Sequence, residues 1–504
     1  MATESGTMHG QQSDAPNILL VCVDQWRRDC LGIDGHPVVE TPYLDELALN
    51  GVRFRRAYAA TPTCIPARAS LLTGLNQHRT GRIGYQDGVP WNYPVTIASE
   101  FTNAGYQTEA IGKLHVYPER SQMGFQHVQL HDGFLHFERN ADRNYDRLDD
   151  YTPWLQKELG HGVDYIDHGV DVNGVTARPW DKPEYTHPST WIASRAIDFF
   201  RRRDTRKPFF LYLGFHRPHP PYDPPAWAFN QYAGQSMPDP EIGDWVSILD
   251  PYRNDALHES HVAVYPRKVI DRAKAGYYGH MTHIDQQINR VLEHLRQYGQ
   301  HRNTWICFVA DHGEMMGDHH LYRKGYPYEA SAGVPLVLAG PPGSGVPAGS
   351  TCDAVVELRD IMPTLLDCAG IRSPAGLDGA SLLPLTRGEC QTVRDWLHGE
   401  HLLFGQTVQW LTNGREKYVW WSGDGHEQLF DLAHDPGELH DLATLPELAA
   451  TLAQWRSLLV EVLHGREDGH SDGTRLVSGR PVSPTLPSVL DAFAQRQNQG
   501  RTHA

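Results

Sequence analysis

The hydrophobic pattern begins at Asn17–Val23, a continuous apolar run (NILLVCV) that ends at Asp24-Gln25. A run this long without polar alternation predicts a strand buried on both faces, as in a parallel sheet. Runs of the same kind recur at Phe209–Gly214, Trp305–Ala310 and Val334–Ala339. Helical periodicity fills the intervals at Tyr43–Leu49, Val95–Asn103, Trp191–Arg203, Lys268–Tyr298 and Leu358–Ala369. The first helix follows Thr41-Pro42, a capping residue and a first-turn proline. Strands alternating with helices predict an α/β fold, a parallel sheet with helices on both faces. Ligands of such sheets sit beyond the carboxyl ends of the strands, so the residues just after each apolar run are the ones to inspect.

Three regions break the alternation. Residues 120–188 are polar and rich in His, Asp and aromatic residues without a sustained period, which reads as a surface insertion or a functional lid. After about residue 395 the pattern changes to strands at Tyr418–Trp421 and Leu429–Leu432 and a helix near Pro446–Leu463, a smaller α+β unit. The stretch 467–504 is rich in Ser, Pro, Gly, Arg and Gln and is expected to be disordered or a partner-docking arm. The expected organisation is therefore a disordered 1–15, a catalytic domain over 16–395, a subdomain over 396–466 and a tail over 467–504.

Composition narrows the function classes. With 45 Lys+Arg against 61 Asp+Glu, the 504-residue chain carries a formal charge of −16. That balance disfavours nucleic acid, which requires clustered basic charge, and an anionic membrane surface. No apolar run approaches the ~18 residues of a spanning helix. Residues 1–15 carry neither a basic nor an apolar signal segment, so a cytoplasmic location is expected. The seven cysteines (22, 30, 64, 307, 352, 368 and 390) form no CxxC pair and are odd in number, which suits reduced, mostly buried thiols.

Two strand ends carry carboxylates: Asp24 after the first run, and Asp311-His312 after Trp305–Ala310. Oxygen donors with one imidazole suit Ca²⁺, Mg²⁺ or Mn²⁺. A lone aspartate there would only cap a helix; two matching strand ends favour a metal. Thr63–Gly74 (TCIPARASLLTG) places Cys64 before a proline-stiffened helix start, with Arg68 one turn on. A cation and backbone N–H groups beside a thiol make Cys64 a candidate nucleophile near an anion. Gly340–Gly349 lacks the Gly-Lys-Ser/Thr of a phosphate loop and reads as a turn-rich connection.

The order Cys64-x-Pro66-x-Arg68, with Leu71-Leu72-Thr73-Gly74 downstream, resembles the signature of the formylglycine-dependent sulfatases of the alkaline-phosphatase superfamily. The resemblance continues at Pro16–Asp24, Gly112-Lys113-Leu114-His115, Asp311-His312-Gly313-Glu314, Lys324 after Gly317-Asp318-His319, and Leu429–Leu442, in family order over most of 16–445. It implies a large mixed, mostly parallel sheet sandwiched by helices, with a smaller C-terminal α+β subdomain. It further implies that a separate formylglycine-generating enzyme oxidises Cys64 to formylglycine. Asp24, Gln25, Cys64, Asp311 and His312 would hold one divalent cation. Ca²⁺ leads, with Mg²⁺ and Mn²⁺ as rivals because Gln25 replaces the family's second aspartate. Arg68, Lys113 and Lys324 would neutralise the sulfate, with Arg323 a rival for the role of Lys324. His115 would be the base, and His219, ahead of His216, would meet the sulfate. One hydroxyl of the hydrated aldehyde would attack sulfur, and loss of the other proton would eject sulfate.

The implied substrate is a small-molecule or carbohydrate sulfate ester. Residues 120–188 and 222–266, with Trp154, Trp180, Trp227 and Trp245, are candidates for the pocket wall, and packing is the equal alternative for these rings. The tail resembles extensions that join subunits, so a homo-oligomer is one expectation. A phosphonate monoester or phosphodiester hydrolase on the same scaffold is the second reading, because Asp24-Gln25 and Arg217–Pro221 resemble those relatives as well. The intact Gly112–His115 motif favours the sulfatase. A non-catalytic anion- or carbohydrate-binding protein is the third.

Overall fold

A computed structural model describes residues 15–133 and 148–491. Residues 1–14, the middle of the polar insertion (134–147) and the last part of the tail (492–504) lie outside the described residues. The main strands in chain order are β1 (Asn17–Asp24), β2 (Val52–Phe54), β3 (Ala57–Tyr58), β4 (Gln107–Gly112), β5 (His127–Leu130), β6 (Phe209–Pro218), β7 (Thr304–Ala310), β8 (Leu336–Ala339), β9 (Ser350–Cys352) and β10 (Val356–Glu357). Eight of them form one sheet in the order β5-β4-β6-β1-β7-β8-β2-β9, while β3 and β10 pair separately. The sheet is mixed: β8 runs antiparallel to β7 and β2, and the other pairings are parallel. All eight residues of β1 are buried, as an unbroken apolar run at the sheet centre requires. Helices cover both faces. Pro188–Arg202 and Arg267–Gln297 pack together over β6, and Cys64–Thr73 packs with Ile97–Asn103 and Ile361–Cys368.

The sheet is irregular where β1 ends. Register with β6 is regular to Val23↔Phe215, then slips so that Asp24 faces Pro218. His216 and Arg217 occupy the slip, beside the carboxylate that the apolar run delivers. Such bulges re-aim side chains near active sites. Next to it, Gly112 and Gly214 let β4 and β6 approach closely: a Cβ on Gly112 would lie 2.1 Å from the Gly214 carbonyl oxygen.

The second sheet is an antiparallel meander of β11 (Leu397–Leu403), β12 (Gln406–Thr412), β13 (Glu416–Trp421) and β14 (Glu427–Asp431). One face packs on the helix Ala449–Leu463 through Leu452, Trp455, Leu459 and Leu463. The other shares a core with the main body, where Tyr58, Trp245, Met315 and Tyr328 meet Trp410, Val419 and Phe430.

One expectation is corrected here, and for the four tryptophans the packing alternative holds. Through residue 491 the tail is no free arm: Thr485 and Leu486 are buried, and the strand-like backbone of 484–486 bonds to 81–83. Its polar composition hides this because the partners are backbone groups, which composition does not report. The four tryptophans pack within the body or at its surface; none lines the main pocket. No helix among the described residues is long and apolar enough to cross a membrane.

Candidate active site

The carboxyl ends of β1, β4, β6 and β7 converge on the start of the helix Cys64–Thr73. All ten residues of that helix are buried, and small Ala67, Ala69 and Ser70 let it lie against the sheet. Cys64 is its first residue. The Sγ atom lies 3.2 Å from His312 Nε2, 3.7 Å from Asp24 Oδ1 and 3.8 Å from Lys113 Nζ. Ligand atoms of Asp24, Cys64, Asp311 and His312 all fall within 4.8 Å of one another, and all four residues are buried.

This donor set fits a cation. His312 Nδ1–H donates to the Gly313 carbonyl at 2.9 Å, which leaves the Nε2 lone pair facing inward. Nε2 then sits 3.4 Å from Asp24 Oδ1 and 3.7 Å from Asp311 Oδ1. Three acceptors pointing at one place repel unless a proton or a metal ion stands among them. Burial lowers the affinity of His312 for a proton, but Asp311, Cys64 and Asp24 outweigh it and push the imidazole up to about 8.

Lys113 leaves β4 through the Gly112–Gly214 approach, pairs with Asp24 and is almost fully buried. Burial alone would raise the Asp24 carboxyl; Lys113, His219, His312 and Arg68 hold it well below the usual range. Arg68 lies behind the carboxylates rather than in the pocket. Its Nε donates to Asp311 Oδ2 at 2.8 Å, and Nη1 donates to the Lys113 carbonyl at 2.8 Å and the Tyr212 hydroxyl at 2.7 Å. The guanidinium therefore orients Asp311 and Lys113, a supporting task that spacing alone does not distinguish from direct contact.

On the opposite side, Lys324 Nζ donates to Gln25 Oε1 at 2.7 Å and lies 2.6 Å from His219 Nε2. His219 Nδ1–H donates to the Pro220 carbonyl at 2.8 Å, so Nε2 accepts from the ammonium. Burial lowers both groups, against the pull of Cys64 and Asp24 on Lys324. Gln25 adopts a left-handed φ of 69°, with its N–H on Asp311 Oδ1 at 3.1 Å and its amide nitrogen on Glu314. Its oxygen thus accepts from Lys324 and keeps one lone pair free of that bond. His115, also at positive φ, has its backbone N–H on Asp132 Oδ1 at 2.9 Å. His216 does not line the pocket. Arg217 Nη1 donates to its Nδ1 at 2.5 Å, and Asp223 grips the same guanidinium through contacts of 2.8 and 3.0 Å.

The cavity above holds about 430 Å³. Thr63, Cys64, Lys113, His115, His219 and Lys324 form its floor, and Tyr85, Asn173, His261, Arg323 and residues 401–404 form its walls. Phe404 and Gly405 make the two-residue turn between β11 and β12, at φ 50° and 78°, and Phe404 stacks on Tyr252 at 4.0 Å and 9°. The left-handed pair matches the twist of a hairpin. Sequence reasoning singled out the floor apart from Thr63, and of the walls only Arg323. Glu314, which accepts from Met316 N–H at 2.9 Å and Arg323 N–H at 2.6 Å, was visible only as the last residue of its motif.

A profile of the sulfatase family matches residues 16–371 of this chain. The chain belongs to the sulfatase family. This sulfatase is thereby an enzyme, a hydrolase of sulfuric esters. A second profile, described as the C-terminal part of N-sulphoglucosamine sulphohydrolase, matches residues 317–464. The sulfatase is similar to an arylsulfatase of Clostridium perfringens, 47% identical over 93% of this chain and 98% of the relative. It also resembles a multifunctional alkaline phosphatase superfamily protein of Trinickia caryophylli, 32% identical over 87% of this chain and 93% of that one. A crystal structure of a phosphonate monoester hydrolase from Agrobacterium radiobacter superimposes with a TM-score of 0.74 and 26% identity, covering 89% of this sulfatase and 95% of the hydrolase.

Proposed function

We propose that the protein hydrolyses an aryl or carbohydrate sulfate ester to the free alcohol or phenol and inorganic sulfate, with Cys64 matured to formylglycine and one divalent cation beside it. The observation carrying this reading is the convergence of Cys64, Asp24, Asp311 and His312 under a pocket floor that also bears Lys113 and Lys324. Asp24, Asp311 and His312 would hold the cation, with the remaining lone pair of Gln25 Oε1 as a further donor. Oxygen donors with one imidazole suit Ca²⁺ first, with Mg²⁺ or Mn²⁺ the rivals. When present, the cation supplies Lewis-acid stabilisation and the hydrated formylglycine supplies an oxygen nucleophile.

The chain's own residues do the rest. Lys113, between Asp24 and Cys64, neutralises sulfate oxygens as charge develops. Arg68 keeps Asp311 and the Lys113 backbone in place. Lys324, already donating toward His219, hands a proton to the leaving oxygen, and His219 holds the ammonium in position. His115 serves as the base that restores the resting side chain. A formylglycine-generating enzyme would act on residues 64–68 before the helix is buried, since Cys64 is only 2% exposed in the fold. The unpaired state of all seven cysteines suits a reducing, cytoplasmic location.

Mass spectrometry of the Cys64 peptide after co-expression with the maturing enzyme, together with sulfate release from an aryl sulfate, tests the proposal. Unmodified cysteine and no sulfate release would leave an anion-binding protein instead. The fit to the phosphonate monoester hydrolase favours a second activity on the same floor, and an aryl phosphonate monoester turned over faster than the aryl sulfate would reverse the order.

A further inference from the structure

We propose that Arg323 is a second anion-binding group in this pocket, and that the substrate is an aromatic sulfate ester bearing a further anionic substituent on its ring. The inference rests on reading the floor as a sulfate site.

Charge is the first observation. The chain holds 61 acidic residues, yet no Asp or Glu is among the described residues lining the cavity. Of the three cations there, Lys113 is paired with Asp24 and Lys324 is held by Gln25 and His219. The Arg323 guanidinium has no carboxylate partner among the described residues. Its Nη1 reaches only the Glu259 carbonyl and His261 Nε2, both at 3.3 Å. A fork of donors left on neutral acceptors retains capacity for a planar anion.

The second observation is how Arg323 is held. Its φ of 70° is left-handed, a conformation that a long side chain rarely adopts. Glu314 Oε1 fixes the backbone by accepting its N–H at 2.6 Å, and Met315 N–H donates to its carbonyl at 2.9 Å. The Tyr326 hydroxyl donates to the His261 carbonyl at 3.1 Å and so accepts from His261 Nδ1–H, also at 3.1 Å. That tautomer turns the His261 lone pair to Arg323. Burial, then Arg323 and Lys324, bring His261 down to about 4, so at neutral pH it holds the guanidinium without competing for an anion.

The walls define the rest of the ligand. Tyr85, Leu402, Leu403 and Phe404 offer flat and apolar surface, and Asn173 is the one amide among the described lining residues. These surfaces suit the face of an aromatic ring, and a cationic alcohol would meet three positive side chains. The volume of about 430 Å³ lies within the range of small-molecule sites, so one substituted ring fits.

The test compares phenyl sulfate with 2-, 3- and 4-carboxyphenyl sulfate, using protein with verified formylglycine and following released sulfate. One carboxylated isomer should exceed phenyl sulfate in kcat/KM by roughly tenfold or more, the scale of a charge-assisted hydrogen bond. Arg323→Gln should bring that ratio close to one through KM, and Arg323→Lys should keep part of it. Because each ratio is taken within one variant, a folding defect cancels. A wild type that prefers no carboxylated isomer, or a ratio that survives Arg323→Gln, overturns the proposal. Calorimetric binding of the three hydroxybenzoates against phenol separates the two readings. If no sulfate ester is turned over but a hydroxybenzoate binds tighter in an Arg323-dependent way, the subsite stands and the sulfatase chemistry falls. Binding that is equal for all four, or unchanged in Arg323→Gln, removes the subsite.

Discussion

Replacing Asp223 with Asn tests whether one carboxylate neutralises the arginine buried behind the histidines of the site. Asp223 and Arg217 are both fully buried, joined by bonds of 2.8 and 3.0 Å, with His168 Nε2 a further 2.9 Å away. Asn keeps the shape and removes the charge, which leaves a guanidinium uncompensated in the core; breaking such a pair costs about 3–5 kcal/mol. At roughly 2.1 cal/mol/K per residue, a chain of 504 residues has an unfolding entropy near 1 kcal/mol/K. The melting temperature by scanning calorimetry should therefore fall by about 3–5 °C. Burial would raise the Asp223 carboxyl, but Arg217 and the bonds from His168 and His280 hold it well below its ordinary 3.8. A depressed carboxyl contributes stability that is fully present above the unfolded value and lost as pH falls through the folded one. The deficit of the variant should thus stay constant between pH 6 and 8. The double variant Asp223→Leu/Arg217→Met should recover part of the loss, because neither charge remains. A single variant melting within 1 °C of wild type would refute the claim that Asp223 compensates Arg217.

Cys64→Ser should release at most one equivalent of the alcohol or phenol per protein while the sulfate stays on the serine, read by the mass of the peptide carrying position 64 and by ion chromatography; sustained release of free sulfate over many equivalents would sink the formylglycine proposal. Dialysis against a chelator should lower the melting temperature, and refilling to 100 times Kd should restore about 2.7 kcal/mol; Ca²⁺, Mg²⁺ and Mn²⁺ added separately rank the metals, and no effect of any would remove the cation. Burial, then His280 and Arg290, bring His283 down to about 3, so the native state refuses a proton that the unfolded chain accepts near 6.5. Stability should therefore drop as pH falls below 6.5, with His283 supplying about 2 kcal/mol of the loss at pH 5, and His283→Gln should flatten the denaturation-midpoint profile by that amount.

The parallel core was legible because β1, β6 and β7 are unbroken apolar runs whose burial on both faces leaves no alternation to confuse them. Fold class and the pocket floor followed from residues that stand directly after those runs or inside short motifs. The edge strands β5 and β9, and β2 beside β9, are three or four residues long and carry too little pattern. The meander was half visible. β11 and β12 bury Glu400 and Gln409, polar residues that sequence assigns to the surface, because Arg466 reaches Glu400 through two bonds of 2.7 and 2.9 Å. That partner lies 66 residues away. The pocket walls stayed hidden for a similar reason: Tyr85, His261 and Phe404 come from three separate connections, and Phe404 joins the other two only because the second sheet packs on the body. Arg68 and Gln25 illustrate the remaining limit. Spacing put both near the cluster, while hydrogen bonds turned one behind the carboxylates and the other toward Lys324.

The turn at Phe404-Gly405 divides the pocket by mutability. The charged side chains of the floor are tied to the ends of the central strands or to their partners, where a change disturbs charge balance. The hairpin tip hangs from a different sheet by two residues. Insertions or exchanges there would alter which leaving groups fit without moving an atom of the sulfate end. New substrates would then arise by editing a loop, and natural variation among relatives should concentrate at 402–405 well before it reaches Cys64.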